Sequence, residues 1–106
     1  MADHTSVTAT LTAAGQTDPI AALYRGDGGI VNISVYGTAA WSATVHLERR
    51  FTESGAWVAV KEYTYSDAVN HSIQEQLVEI EPGVQYRLKI AAGNFGSGTV
   101  YLRLSR

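Results

Sequence analysis

A chain of 106 residues has room for one hydrophobic interior, so a single domain is expected. Ten acidic and eight basic side chains give a formal charge of −2, and the Lys and Arg residues are scattered along the chain. No cationic block is available to displace counterions from a nucleic-acid backbone, which argues against a nucleic-acid partner. The chain has no cysteine, which excludes disulfides, thiolate metal sites and thiol nucleophiles.

The first stretch, "MADHTSVTAT", has neither the basic n-region nor the apolar h-region of a secretory signal. No apolar run approaches the ~20 residues that span a bilayer as a helix, so synthesis in a cytoplasm and no membrane partner are expected. Residues 1–28 form an N-terminal arm or a first strand, since "VTATLTA" from Val7 alternates and Leu11, Ile20, Leu23 and Tyr24 supply anchors for it. "GDGG" at 26–29 then reverses the chain.

From residue 29 to 106 alternation dominates. In "GIVNISVYG", Val31, Ile33 and Val35 fall on one face and Asn32 and Ser34 on the other. "AWSATVHLER" is the cleanest case: Trp41, Ala43, Val45 and Leu47 alternate with Ser42, Thr44, His46 and Glu48. "RRFTESGAWVAV" then turns around Ser54-Gly55, so 41–50 and 57–65 are expected to form a hairpin with Trp41 and Trp57 in or near the core. "SIQEQLVEI" from Ser72 reads as a strand, although Ile73, Leu77 and Ile80 also fit a helical stripe. "VQYRLKIAA" from Val84 and "TVYLRLSR" from Thr99 are further strands. Pro82-Gly83 and "GNFGSG" at 93–98 serve as turns, the latter a hairpin with Phe95 exposed at its tip. The expected fold is an all-β antiparallel sandwich or jelly-roll-like barrel of about seven to eight short strands.

Sites of chemistry are weakly signalled. His4, His46 and His71 belong to no HxH or HExxH pattern, so no metal ligands are assigned. Glu75, Glu79 and Glu81 share a side of one segment and read as a solvated face rather than a facing catalytic pair. No GxSxG elbow is present, and "GNFGSG" lacks the lysine and following helix of a phosphate cradle. No catalytic residue and no cofactor are therefore expected. Six tyrosines, at 24, 36, 63, 65, 86 and 101, suit either packing at a protein interface or a sugar platform, and nothing in the sequence separates the two.

Three stretches, "LTAAGQTDPI", "GGIVNISVYGTAAWSATVHLERRFTESGAWVAV" and "YRLKIAAGNFGSGTVYLRLS", together resemble small structural proteins of tailed bacteriophages. The resemblance rests on Gly15-Gln16-Thr17, on Gly37, Thr44, Val45, Leu47, Glu48, Arg49, Gly55, Trp57 and Val60, on Tyr86-Arg87-Leu88 and on Ser97-Gly98-Thr99-Val100. Arg50 and the Glu53-Ser54 pair depart from the group's usual serine and Asp-Gly-like turn. The resemblance implies a non-enzymatic virion component made in the bacterial host cytoplasm: a capsid decoration or cement subunit, or else a tail, neck or head-fibre part. The implied partners are the major capsid protein or other virion proteins and further copies of the chain, with a trimer among the options. A carbohydrate-binding adhesion module remains the alternative. Leu11, Ile20, Leu23, Tyr24, Arg50, Phe51 and Phe95 are the candidate interface residues.

Overall fold

The computed structural model describes residues 6–21, 29–37, 41–51, 55–68, 72–79, 81 and 83–106. Ten strands follow one another: β1 (Ser6–Leu11), β2 (Gly15–Gln16), β3 (Ile20–Ala21), β4 (Gly29–Gly37), β5 (Trp41–Arg50), β6 (Val58–Ala68), β7 (Ser72–Glu79), β8 (Gln85–Ile90), β9 (Phe95–Ser97) and β10 (Val100–Ser105). Residues 72–79 are thus strand, not helix. Their inward row needs a period of two, because Ile73 is buried while Gln74 and Gln76 on either side of Glu75 are exposed.

All pairings are antiparallel and fall into two sheets. One has the order β1-β10-β4-β7; the other runs β2-β8-β5-β6, with β3 added to β8 and β9 to β5. β2 and β3 both pair β8, and β8 and β9 lie end to end along the same side of β5, whose residues 46–50 face β8 and 42–43 face β9. Counted as two broken strands, they reduce the ten elements to eight positions. Those eight positions and their order are those of a two-sheet jelly roll, an antiparallel sandwich as the alternation implied.

The sequence patterns explain the layers. Val31, Ile33 and Val35 of β4 and Val100, Leu102 and Leu104 of β10 form the inner face of the first sheet, all at most 2% exposed. Trp41, Val45 and Leu47 of β5 and Leu88 and Ile90 of β8 face them from the second. The β2–β3 segment is anchored within its own sheet, and the C-terminus is tied across to the other sheet. Thr17, buried just after β2, donates its backbone N–H to the Leu88 carbonyl at 2.9 Å and accepts the Leu88 N–H on Oγ1 at 3.1 Å. Arg106 Nη1 donates to the Ala21 carbonyl at 2.8 Å.

One expectation about a connection changes. "GNFGSG" is not a hairpin tip, because β8 and β10 belong to different sheets and the segment between them must cross the sandwich. Phe95 accordingly sits in β9 opposite Ala43 and packs, partly buried, against the core. The 41–50 and 57–65 segments do form the expected antiparallel pair, with register shifts near Trp41 and after Leu47 that place extra residues in β6. Bulges of this kind twist an edge strand out of the flat geometry that invites further strand pairing.

Gly37 is required by close approach. A Cβ there would lie 2.5 Å from the Thr99 carbonyl oxygen and 2.7 Å from the Trp41 ring, both held in place by the sheet and core. Gly37→Ala is expected to destabilise the domain by about 2 kcal/mol, on the order of 10 °C in Tm, measured by thermal unfolding.

Candidate functional site

The inward row of β5 is apolar from Trp41 to Leu47, and its next inward position is Arg49. The inward row of β7 carries Ile73, Glu75, Leu77 and Glu79. At one end of the sandwich these rows meet as an ion pair rather than an apolar contact. Arg49 Nε donates to Glu79 Oε1 at 2.8 Å and to the Tyr86 hydroxyl at 3.1 Å; Tyr86 Oη donates to the same carboxylate oxygen at 2.6 Å. The backbone N–H of Glu81 donates to Glu79 Oε2 at 3.1 Å. A buried carboxylate is tolerable only when its lone pairs are filled in this way.

These bonds set the protonation states. Burial pushes the Glu79 carboxyl up, but the hydrogen bonds from Arg49, Tyr86 and Glu81 outweigh it and hold the pKa at about 2. Burial and the hydrogen bond to Glu79 push the Tyr86 phenol up to about 12. The Arg49 guanidinium is held charged more firmly still by its bond to Glu79. A second cluster lies on the same open side of the sandwich, where the edge strands β6 and β7 face each other. Glu75 Oε1 accepts from Lys61 Nζ at 2.6 Å and from the Tyr63 hydroxyl at 2.8 Å, which lowers its pKa, while burial and then Glu75 raise that of Tyr63. Glu75 and Glu79 were expected on a solvated face together with Glu81. They instead point inward and close the edge, because their parity is that of Ile73 and Leu77.

Around the Arg49–Glu79 pair lies an apolar rim. Among the described residues the exposed large apolar side chains are Ile30, Tyr36, Phe51, Val58, Val60 and Val78. All but Tyr36 belong to this end, Ile30 and Val78 with the outward parity of Asn32 and Gln76 on the β4 sheet, and Phe51, Val58 and Val60 beside Arg49 on the other sheet. Val58 is opposite Arg49 in the β5–β6 ladder, Val60 lies in the irregular stretch beside it, and Val78 is opposite Ile30 next to Glu79. Phe51 carries the Arg49 guanidinium 4.6 Å above its ring and is 57% exposed.

The two outer faces differ. On the outer face of the β5 sheet Trp57 takes the guanidinium groups of Arg50 at 4.4 Å and Arg87 at 4.3 Å over its ring. Arg87 also bonds Glu48 at 2.6 Å, Arg50 bonds Gln85 at 2.8 Å, and His46 Nε2 lies 3.0 Å from Glu62. Most of the charged groups on this face thus engage a neighbour. On the outer face of the β4 sheet, Asn32, Ser34, Gln74, Gln76 and Arg103 line a shallow concavity of about 490 Å³, floored by Ile33 and Glu75. Tyr36 and Tyr101 stack beside it with ring centroids 4.9 Å apart.

Of the residues singled out in the sequence, Phe51 lies on the rim and Arg50 on the outer face behind it. Ile20 is 3% exposed inside the core, and Leu11 and Phe95 pack partly buried against it. Leu23 and Tyr24 lie outside the described residues, as do His4 and His71. Sequence reasoning missed Glu79 and Tyr86 as partners of Arg49. The parity of 73, 75, 77 and 79 was the available signal, since two apolar members of that row commit the two glutamates to the same side.

The chain matches no family model, and no curated protein matches it. Among solved structures it is similar to the crystal structure of a Yersinia pseudotuberculosis-derived mitogen, at 16% identity and a TM-score of 0.54, over 98% of this chain and 86% of that one. At this identity the likeness is one of fold. It agrees with the all-β, two-sheet architecture.

Because the folded state binds the ionised form of Glu79 more tightly, its contribution is present above about pH 4.5 and is lost as the pH falls toward 2. Glu79→Gln is expected to cost about 3 kcal/mol at neutral pH and to flatten the acid limb of the stability curve, read by urea unfolding between pH 7 and 2. Tyr86 works in the opposite direction: its contribution holds below pH 10 and is lost as the pH rises through about 12.

Proposed function

We propose that this chain is a non-enzymatic structural protein of a tailed-phage virion, a capsid decoration or cement subunit that attaches through repeated protein–protein contacts. The observation that carries the proposal is the apolar rim of Phe51, Val58, Val60, Ile30 and Val78. A small domain that leaves five large apolar side chains exposed at one end has a surface suited to covering by another protein. Many such contacts of modest strength act together on a lattice without any one being tight. The sequence resemblance to phage structural proteins supports the viral context. The jelly roll is also an architecture of capsid and lectin domains, which is an analogy of fold and not of site. The mitogen likeness adds nothing to function at its level of identity.

The rim also suggests how copies associate. β6, one of the two strands bordering it, has register shifts and a Lys61 on its inward row, both of which discourage open-ended strand addition. Association on this side then proceeds by side-chain packing rather than by sheet extension. A tail, neck or fibre location would use the same rim, with different neighbours.

Light scattering over a concentration series should show a defined oligomer, and the protein should bind undecorated capsids of its phage and raise their resistance to heat. Phe51→Asp and Val58→Asp should each weaken association by about 30-fold, the equivalent of about 2 kcal/mol for one buried apolar side chain. A wild-type monomer that ignores capsids would remove the decoration reading.

A further inference from the structure

We propose that the outer face of the β1-β10-β4-β7 sheet is a binding site for a neutral oligosaccharide. The inference is independent of the virion reading and rests on residues other than those of the apolar rim, of which Ile30 and Val78 border the same face.

The ladder registers align the outward side chains in rows across the sheet. Thr8, Arg103, Ser34 and Gln74 lie opposite one another from β1 through β10 and β4 to β7, and Asn32 and Gln76 form the row two residues away. That is a spacing of roughly 6–7 Å along the strands. Tyr101 and Tyr36 form the row on the other side of Arg103 and Ser34. The concavity of about 490 Å³ lies over the polar rows, with the tyrosine pair at one end.

The chemistry of these rows is selective. Side-chain amides each offer two N–H donors and an acceptor oxygen, and serine adds a hydroxyl that does both. Such groups match a ligand whose every hydroxyl is itself donor and acceptor, which is the signature of a polyol. Arg103 is the one cation among the side chains lining the concavity. Glu75, the one carboxylate there, is engaged by Lys61 and Tyr63 from the other sheet. A polycationic ligand would therefore find no anionic row, and a polyanion would find a single arginine where several converging cations are needed.

Tyr36 is 46% exposed and stacks on Tyr101, so each ring has a face turned away from its partner. Aromatic faces carry negative quadrupole density and attract the polarised C–H face of a sugar ring. The two components serve different parts of one ligand, the amides its hydroxyl edges and the tyrosines its apolar face. Trp41 is wholly buried and Trp57 is occupied by Arg50 and Arg87, so the tyrosine pair is the aromatic element suited to this role.

The test is to titrate the ¹⁵N-labelled full chain with cellohexaose, xylohexaose, mannohexaose and N-acetylchitohexaose, each to about 5 mM, where millimolar affinity is visible. At least one is expected to shift the side-chain NH₂ signals of Asn32, Gln74 and Gln76 together with the backbone signals of Ser34 and Arg103. Gln74→Ala, Arg103→Ala and Tyr36→Ala should each weaken that ligand by about tenfold, with Tm unchanged. Phe51→Asp should leave its affinity unaltered. Silence of these amides toward all four sugars overturns the inference, as does binding that maps elsewhere or is indifferent to these three substitutions. Loss of oligomerisation or of capsid attachment in Phe51→Asp bears only on the rim.

Discussion

Strand β5 must satisfy both of its edges and its inner face at once, and the rest of the domain is arranged around it. It pairs β6 along one edge and β8 and β9 along the other, while Trp41, Ala43, Val45 and Leu47 are buried against the opposite sheet. A strand committed on three sides cannot slip, because a shift of one residue would carry its whole apolar row to solvent. Gly37 lets the preceding strand pass close to the Trp41 ring, and Thr17 locks the first sheet-crossing segment to β8, the neighbour of β5.

The same commitment makes Arg49 an inward residue at the point where the apolar row ends. A guanidinium facing the interior of a sandwich is costly unless it finds hydrogen-bond partners, and Glu79 and Tyr86 both accept from its Nε from two other strands. Lys61, Tyr63 and Glu75 repeat the solution farther along the open side. Hydrogen-bonded charge thereby ties β7 to β5 and β8 through Glu79 and to β6 through Glu75, beside the apolar contacts of the core. The price is that the apolar side chains flanking those clusters, Phe51 and Val58 among them, have no interior left to enter.

The two outer faces show how similar strands become different surfaces. Glu48, Arg87, Arg50, Trp57, His46 and Glu62 engage one another and leave a face most of whose charges are already engaged. The opposite face is built from amides and hydroxyls around Arg103 and the stacked tyrosines. A paired charged face has little to gain from a new partner, whereas groups that are both donor and acceptor can exchange water for a hydroxylated ligand at little electrostatic cost.

Much of this was legible in the chain. Alternation located the strands of the main sheets, glycine and proline marked most reversals, and the all-β sandwich followed, because a period of two is a local property of neighbouring side chains. The core row of β5 was read correctly residue by residue for the same reason. What required the tertiary structure was every relation between segments distant in sequence. The jelly-roll order places β8 and β10 in different sheets, which turned an expected hairpin tip at Phe95 into a short strand against the core. It brought Glu79 beneath Arg49, thirty residues away, and so converted an apparently solvated acidic face into a buried ion pair. Among the tyrosines whose side chains are described, it placed Tyr63 and Tyr86 inside and Tyr36 and Tyr101 outside. Period and propensity act over a few residues, but which strands become neighbours is decided by closing two apolar faces on each other, and no local pattern encodes that choice.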